Sequence, residues 1–198
     1  FGGFEGVVKG KTELYADVHA RGGKVFVSAD NAILLQKWKA LDTAAEHLIT
    51  YGQSSEYCRG QLLSGYTFLT LETEGIRIQT HLVGDYNFEN VMSAVCIGKY
   101  FGVALPDIQS ALEDYTPDNN RSQQISMGTN TIIMDAYNAN PSSMHEALNN
   151  FQKLNTAQKH SKAMVVLGEM MELGQYATVE HEKIAARLTT DAWKNVTR

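Results

Sequence analysis

The sequence has no long hydrophobic run, only two cysteines and no surplus of positive charge. No apolar stretch approaches the roughly 20 residues of a membrane span, and no basic segment precedes an apolar core near the start, so we expect neither a membrane partner nor a signal peptide. A net charge of −5 gives no reason to expect a nucleic-acid partner. Cys58 and Cys96 lack metal-type spacing, which is typical of reduced thiols in a cytoplasmic protein.

What is present is an ordinary globular composition of 198 residues, 43% hydrophobic and 20% charged. That length can bury one sizeable core or two small ones. The sequence begins without Met and ends after only two parallel-type strands of its last part. We therefore expect it to be a piece of a longer chain.

The first part of the chain is predicted to be α/β with an antiparallel hairpin. Alternating apolar residues in 66–72 and 76–82, joined by 73–75, predict the hairpin. Asp30 is expected to cap a helix that runs to about Ala40. The remaining elements predicted here are a strand at 24–28 and helices at 7–18, about 84–102 and 106–115.

The turn-rich segment 116–120 is the predicted boundary between two domains, 1–117 and 118–198. Beyond it, strands are predicted at 122–126, 131–135 and 164–167, a helix at Pro141 and a last helix from about Thr178 to the end. Strand–helix–strand–helix order is typical of a parallel α/β unit.

Two loops follow apolar strands in this second part. Asp135 ends the run 131–134 and is followed by a turn rich in Asn and Tyr, while 165–167 runs into a glycine-bounded loop, 168–174. Ligands bind at the carboxyl ends of strands in open α/β sheets, so the loops predict a site. Side chain–backbone bonds also explain an Asn-rich turn, but an unpaired carboxylate at a strand end is destabilising. We therefore favour a ligand hydroxyl or a cation at Asp135.

Segment 6–12 resembles a phosphate-binding loop, but such a loop needs glycine where Glu5 stands, and we reject the match. Lys11 shares an apolar helix face with Val7 and Leu14. Its stem can simply cover core surface. Alternatively, Lys11 is partly buried and reacts as the neutral amine.

Asn87 and Asn90 open the helix predicted at 84–102. Capping of that helix explains both, although carboxamides can also pair with an adenine edge. His181 shares a helix face with Ile184, where a buried, hydrogen-bonded histidine is the commoner outcome. Glu169 and Glu172 can be solvated, but the glycines around them favour a shaped loop.

Taken in order, these motifs resemble the MurF branch of the Mur ligases. Segment 84–90 is similar to the family's His-Asn-x-x-Asn adenine motif, with Tyr86 in place of the histidine. Segment 120–123 resembles the Gly-Arg segment at the boundary of the central and C-terminal domains. The other similar segments are 1–15, which matches the region after the family's metal-binding histidine, 135–144, and 167–174 with His181.

The resemblance implies the end of a central ATPase domain, with a mixed sheet and an antiparallel hairpin, followed by the start of a Rossmann-like C-terminal domain. It implies an ATP-dependent ligase that adds D-alanyl-D-alanine to UDP-N-acetylmuramoyl-tripeptide through an acyl phosphate in peptidoglycan synthesis. The implied cofactors are ATP and Mg²⁺, and the enzyme is expected to be a cytoplasmic monomer. The family's P-loop, metal-binding Glu and His, and N-terminal domain are not in this sequence, so we expect the piece alone to be inactive.

The resemblance also implies roles at matching positions. Lys11 corresponds to the lysine that is carbamylated with CO₂ and supports Mg²⁺. Asn87 and Asn90 would contact adenine, and Asp135 the ribose hydroxyls, while Arg121 would bind the nucleotide phosphates. The residues expected to shape the dipeptide and acyl site are Tyr137, Asn138, Asn140, Glu169, Glu172 and His181.

Three other interpretations stay open. One is a Mur-type ligase that adds a diamino acid or glutamate, against which loop 168–174 argues. Another is a non-catalytic nucleotide-binding module. A nicotinamide-binding protein is disfavoured, because no Gly-x-Gly-x-x-Gly follows a strand.

Overall fold

The computed structural model describes residues 3–41, 45–65, 67–158, 162–194 and 196–197. The chain divides into two compact units: residues up to Thr80 with Asn87–Tyr115, and His81–Tyr86 with everything from Thr116 onward. The domain boundary after residue 117 stays a prediction from the sequence. No feature of the sequence assigned the short segment His81–Tyr86 to the second unit.

The first unit is built on a five-stranded mixed sheet. The strands, in their order across the sheet, are β1 (Val25–Ser28), β2 (Leu48–Gly52), β3 (Cys58–Leu63), β4 (Phe68–Thr73) and β5 (Ile76–Val83). β1, β2 and β3 run parallel to one another, and β4 is antiparallel to β3. A mixed sheet with an antiparallel hairpin is what the family resemblance implied, whereas the sequence patterns predicted neither β2 nor β3.

The predicted hairpin is present, but its turn has two residues rather than three, because Thr73 belongs to β4. Glu74 and Gly75 both have positive φ, 51° and 79°. Two consecutive positive φ values are typical of the type I′ turn, whose twist matches that of the flanking strands. Tyr66, the first residue of the predicted hairpin, lies outside the described residues, as do Phe1 and Gly2 of the family-like segment.

Four helices complete the first unit: α1 (Gly3–Ala20), α2 (Ala32–Lys39), α3 (Phe88–Tyr100) and α4 (Leu105–Asp114). Its buried core includes Tyr15 of α1 and Trp38 of α2, which meet edge to face at 5.9 Å between ring centroids. Val25 and Val27 of β1 belong to the same core. Burial of these apolar groups holds α1 and α2 against the sheet.

The prediction that Asp30 caps α2 was wrong by one residue. The cap is Asn31, whose side-chain oxygen accepts from Leu34 N at 3.1 Å. Asp30 accepts instead from the backbone N–H groups of Gln53 and Ser54, at 2.7 and 3.0 Å. Desolvation opposes ionisation of Asp30, but these hydrogen bonds outweigh it and lower the pKa of the carboxyl.

The two cysteines, distant in sequence, meet inside the first unit. Cys58 on β3 and Cys96 on α3 are buried free thiols. The hydrogen bond between them lowers the pKa of Cys58 and raises that of Cys96. Nothing in their sequence spacing predicted this contact.

In the second unit, β6 (Gln123–Met127) and β7 (Asn130–Met134) form an antiparallel hairpin, as predicted. Helix α5 (Pro141–Gln158) follows, and then β8 (Ala163–Met164), α6 (Ala177–Leu188) and β9 (Val196–Thr197). The core of this unit includes Leu148, Ile184 and Trp193. Trp193 stacks on Phe151 of α5, with the ring planes 5° apart.

Three details of the second unit differ from the prediction. The strand predicted at 164–167 is the two-residue β8, Ala163–Met164, and residues 165–167 lie outside it. The last helix does not run to the end of the chain, because α6 stops at Leu188 and buried Trp193 anchors a turn into β9. Within the described ranges, β7 pairs only with β6, and the parallel partner of β8 is β9. The two loops that follow 131–135 and 164–167 therefore do not end neighbouring strands of one hydrogen-bonded sheet.

None of the helices in the described part of the chain is long and apolar enough to cross a membrane.

Candidate functional site

A hydrogen-bonded cluster of Tyr86, Ser122 and Asp135 lies at the carboxyl end of β7, inside the second unit. The Tyr86 hydroxyl donates to Asp135 Oδ2 at 2.9 Å and lies 3.0 Å from Ser122 Oγ. Because the phenol has one proton and gives it to Asp135, Ser122 must donate to the phenol oxygen. The backbone N–H of Ser122 donates to Asp135 Oδ1 at 3.2 Å. Each carboxylate oxygen of Asp135 thus has one protein donor.

Asp135 lies at the end of a strand, as predicted, but our reason for expecting a ligand there was wrong. We expected an unpaired carboxylate whose burial a ligand would relieve, whereas Asp135 is exposed and accepts two hydrogen bonds. A carboxylate has about four acceptor positions, and the hydrogen bonds seen among the described residues fill two of them. Asp135 can therefore accept two further hydrogen bonds from a ligand.

Strained backbone brings Ser122 to Asp135. Asn120 and Ser122 have φ of +58° and +51°, a left-handed conformation that non-glycine residues seldom adopt. Two backbone hydrogen bonds hold the turn, from Ala136 N to Asn120 O at 2.7 Å and from Val83 N to Ser122 O at 3.0 Å. Such strain persists only where the surroundings fix it, and it clusters at functional sites.

Arg121, at the centre of this turn, lies over the ring of Tyr137. The guanidinium carbon is 3.5 Å from the ring centroid, and both side chains are exposed. A stacked guanidinium keeps its N–H groups in the plane of the fork, where they can reach phosphate oxygens. The segment therefore presents an oriented cation beside a carboxylate.

Tyr86 is a site residue that the sequence did not assign. Burial raises the pKa of its phenol, and the negative charge of Asp135 raises it further. Tyr86 consequently stays protonated and keeps donating at any physiological pH. The signal in the sequence was the departure of Tyr86 from the histidine of the family motif. The structure adds that a Cβ at Gly84, where φ is +101°, would collide with the Tyr86 ring.

In the first unit, Asn87 and Asn90 stand at the start of α3. Asn87 is buried in the N-cap position but makes no side-chain capping bond, so the capping explanation was wrong for it. Its side-chain oxygen accepts from Asn90 Nδ2 at 3.3 Å. The Asn90 carboxamide is exposed, with an oxygen and an amide that can face a base edge.

Lys11 is exposed, and the expectation of a partly buried lysine was wrong. Val8 and Tyr15 form the buried face of α1, while Val7 and Leu14, the neighbours expected to bury Lys11, are 38% and 61% exposed. The structure agrees with our rejection of the phosphate-loop match, because residues 6–12 lie within the helix α1.

The turn after β7 leads directly into α5. Asn138 is exposed, while Asn140 caps the helix: its side-chain oxygen accepts from Ser143 N at 2.9 Å, and Ser143 Oγ accepts from Asn140 N at 3.1 Å. This reciprocal pair is a capping box, and it engages the side-chain oxygen of the exposed Asn140.

His181 fixes loop 168–174. Its Nε2 accepts from Met170 N at 3.0 Å, so the ring proton is on Nδ1, which donates to Ala177 O at 2.7 Å. Met170 is buried, whereas Glu169 and Glu172 are exposed, and Glu172 has φ of +62°. The loop is thus shaped and presents both carboxylates outward.

Two protein-family descriptions account for most of the chain. The Mur ligase middle domain matches residues 1–98, and the Mur ligase glutamate ligase domain matches residues 120–197. The chain belongs to the Mur ligase family. The α/β fold and the resemblance that the sequence motifs carried are confirmed.

One curated relative of this Mur ligase is the UDP-N-acetylmuramoyl-tripeptide–D-alanyl-D-alanine ligase of Bacillus subtilis. It is 34% identical over 111 residues, which cover 56% of this chain and 24% of the relative. A crystal structure of MurF from Acinetobacter baumannii has a TM-score of 0.76 and 26% identity, covering 95% of this chain and 41% of that one. These matches support the MurF branch.

A third comparison supports the fold alone. The MurF ligase of Thermotoga maritima, solved in complex with ADP, has a TM-score of 0.65 at 14% identity and covers 87% of this chain and 43% of that one. The chain therefore spans less than half the length of these solved MurF chains.

The residues of this Mur ligase fit ATP better than they fit Mg²⁺. Within each unit they include groups suited to a nucleotide: exposed carboxamide at Asn90, carboxylate at Asp135 and guanidinium at Arg121. Among the residues that the structure describes, no three His, Cys, Asp or Glu side chains lie together as a metal site.

Proposed function

We propose that this chain is part of a ligase that adds D-alanyl-D-alanine to UDP-N-acetylmuramoyl-tripeptide with ATP, in peptidoglycan synthesis. The observation that carries the proposal is the fit of MurF from Acinetobacter baumannii to 95% of the chain at 26% identity. The 34% identity to the Bacillus subtilis ligase supports the same substrates.

In the proposed reaction, ATP phosphorylates the terminal carboxylate of the tripeptide to an acyl phosphate. The amine of D-Ala-D-Ala then attacks the acyl carbon, and phosphate leaves from a tetrahedral intermediate. Most of the rate enhancement comes from positioning and from stabilising charge on the transferred phosphoryl group.

The nucleotide contacts that we propose are the roles implied by the family motifs, and side-chain chemistry is consistent with each of them. Asp135 accepts hydrogen bonds from ribose hydroxyls with the two acceptor positions that the protein does not use. Arg121, stacked on Tyr137, binds phosphate oxygens with its planar N–H groups. Asn87 and Asn90 contact the adenine edge, with Asn90 offering the exposed amide.

We propose that the exposed amine of Lys11 is carbamylated by CO₂. The product is an anion in place of a cation, able to support Mg²⁺, which would neutralise phosphate charge when bound. Because Lys11 is exposed, its amine is accessible to dissolved CO₂.

Recognition of the amino substrate is proposed for Tyr137 and Asn138 after β7 and for loop 168–174, with Glu169 and Glu172. Asn140 and His181 act indirectly in this proposal, because their polar atoms already hold α5 and the loop. A cytoplasmic, monomeric enzyme remains part of the proposal, since ATP and a UDP-linked precursor are cytoplasmic compounds.

The test is phosphate release from ATP by the full-length protein that carries this sequence. UDP-N-acetylmuramoyl-tripeptide is supplied with D-Ala-D-Ala, with a diamino acid, with glutamate or with no amine. Release that requires D-Ala-D-Ala supports the proposal. Release that requires another amine keeps the ligase and overturns the substrate, and no release with any amine overturns both.

A further inference from the structure

We infer that Tyr86 is a positioning residue, whose hydroxyl holds the Asp135 carboxylate in the orientation that receives the nucleotide ribose. The inference rests on the proposed ribose contact of Asp135. It assigns a role to the one position where this chain departs from the histidine of the family's adenine motif.

The first support is the hydrogen-bond pattern. Tyr86 donates to Oδ2 of Asp135, and Ser122 N donates to Oδ1, so the carboxylate is held at both oxygens. An exposed Asp side chain without such donors would rotate about its terminal torsion. Because a donor binds each oxygen, the carboxylate does not rotate freely. The acceptor positions that remain on its oxygens therefore point in a fixed direction.

The second support is that Tyr86 is itself fixed. Ser122 Oγ lies 3.0 Å from the phenol oxygen, and the ring is half-buried. Gly84 leaves the space that the ring occupies, since any larger residue there would collide with it. A positioning residue needs a side chain that is locked by its own surroundings, and Tyr86 meets that condition.

The third support is electrostatic. Burial is the largest cause of the raised pKa of Tyr86, and the negative charges of Asp135 and Glu146 raise it further. The neighbouring Asp85 is paired with Lys153 at 2.8 Å. The phenol is therefore a neutral donor over the whole physiological range, whereas an imidazole in its place would titrate within that range.

The experiment measures binding of ATP and of 2′,3′-dideoxy-ATP to the full-length protein and to its Tyr86→Phe variant. Phe keeps the ring and removes only the hydroxyl. We expect ATP to bind about tenfold more weakly to the variant, the size expected for one hydrogen bond to a charged group. Binding of the dideoxy nucleotide, which has no ribose hydroxyls, should not change. Equal losses for both nucleotides, or no loss for either, would overturn the inference.

A double-mutant cycle separates positioning from a direct contact. If Tyr86 acts through Asp135, Tyr86→Phe weakens ATP binding no further in an Asp135→Ala background. Additive losses would overturn positioning. Tyr115→Phe, which removes an exposed hydroxyl after α4, is the matched control and should bind both nucleotides like the wild type.

The proposed function can fail separately. A wild-type protein that prefers ATP over dideoxy-ATP but uses another amine keeps the role of Tyr86 and discards the dipeptide substrate. A wild-type protein that binds both nucleotides equally removes the ribose contact, and with it the role of Tyr86.

Discussion

Asn120 has a backbone conformation that few residues tolerate, and this conformation places Ser122 against Asp135. Its φ of +58° is natural for glycine and acceptable for asparagine, which explains why Asn stands where the family has a Gly-Arg segment. The motif was readable from the sequence. The reason for the Asn was not readable, because the backbone conformation of this turn depends on hydrogen bonds from Val83 and Ala136, which are distant in sequence.

We therefore predict that Asn120→Ala lowers the free energy of unfolding by about 1 kcal/mol, since Ala adopts a left-handed φ less readily. Asn120→Gly should be neutral within about 0.5 kcal/mol. Urea denaturation followed by circular dichroism measures both. Asn119→Ala, at an exposed neighbour, is the control, and an equal loss there would contradict the backbone explanation.

Asp30 shows how a tertiary contact overrides a local pattern. Asp30 and Asn31 are both good capping residues, and nothing local distinguishes them. The choice is made by Gln53 and Ser54, whose N–H groups bind the Asp30 carboxylate. A sequence pattern cannot include partners twenty residues away, so this assignment was wrong.

The lowered pKa of Asp30 predicts a pH-dependent stability. Its stabilising effect is complete above the ordinary pKa of 3.8 and is lost as the pH falls through the lower folded-state pKa. Asp30→Asn should lower the free energy of unfolding by about 1 kcal/mol at pH 7. The difference from the wild type should shrink by pH 3. Asp118→Asn, an exposed carboxylate after α4, should show no such pH-dependent difference; a constant difference for Asp30→Asn would refute the assignment.

At the scale of elements, long periodic segments were predictable and short ones were not. Helices α1, α3 and α5 and the two hairpins follow from apolar spacing and turn residues. Strands β8 and β9 have two residues each, too few for any periodicity, and they form through pairing with each other. Their pairing, and the turn at Trp193, depend on tertiary contacts that the local pattern does not contain.

The His181 side chain of α6 binds the backbone of loop 168–174, and this gives a sharp prediction. His181→Ala removes the acceptor of the buried Met170 N–H, so the free energy of unfolding should fall by about 1–3 kcal/mol. Amide hydrogen exchange across 168–174 should accelerate at least about tenfold. Hydrogen-exchange mass spectrometry measures the effect.

The control for this variant is Glu182→Ala, the next residue of α6, whose side chain is exposed. Exchange in the loop should be unchanged there. Slow exchange in His181→Ala would mean that the flanking glycines and Met170 hold the loop without the histidine.

For the whole molecule, family membership was readable because several motifs occur in family order. The residues named from those motifs lie in two compact units, and their hydrogen-bond partners were mostly hidden from the sequence. Tyr86 was visible only as a departure from a motif. Its bond to Asp135 joins residues 49 positions apart, a contact that only the folded chain reveals.

Each compact unit has its own core, and the second depends on Leu148, which is 2% exposed. Leu148→Ala should lower the free energy of unfolding of this unit by about 2–5 kcal/mol through lost burial and a cavity. Leu14→Ala, at a site 61% exposed, should change stability by less than about 0.5 kcal/mol. Urea denaturation compares the two, and similar losses would contradict the assignment of the core.

The two tryptophans of the chain are divided between the units, Trp38 in the first and Trp193 in the second. Both are buried, one at the edge of Tyr15 and one stacked on Phe151. Each unit thus contains a single tryptophan. With excitation selective for tryptophan, Trp38→Phe leaves tryptophan emission from the second unit and Trp193→Phe leaves tryptophan emission from the first. The order in which the two units unfold can then be followed from the emission wavelength and intensity of the remaining tryptophan, without any added label.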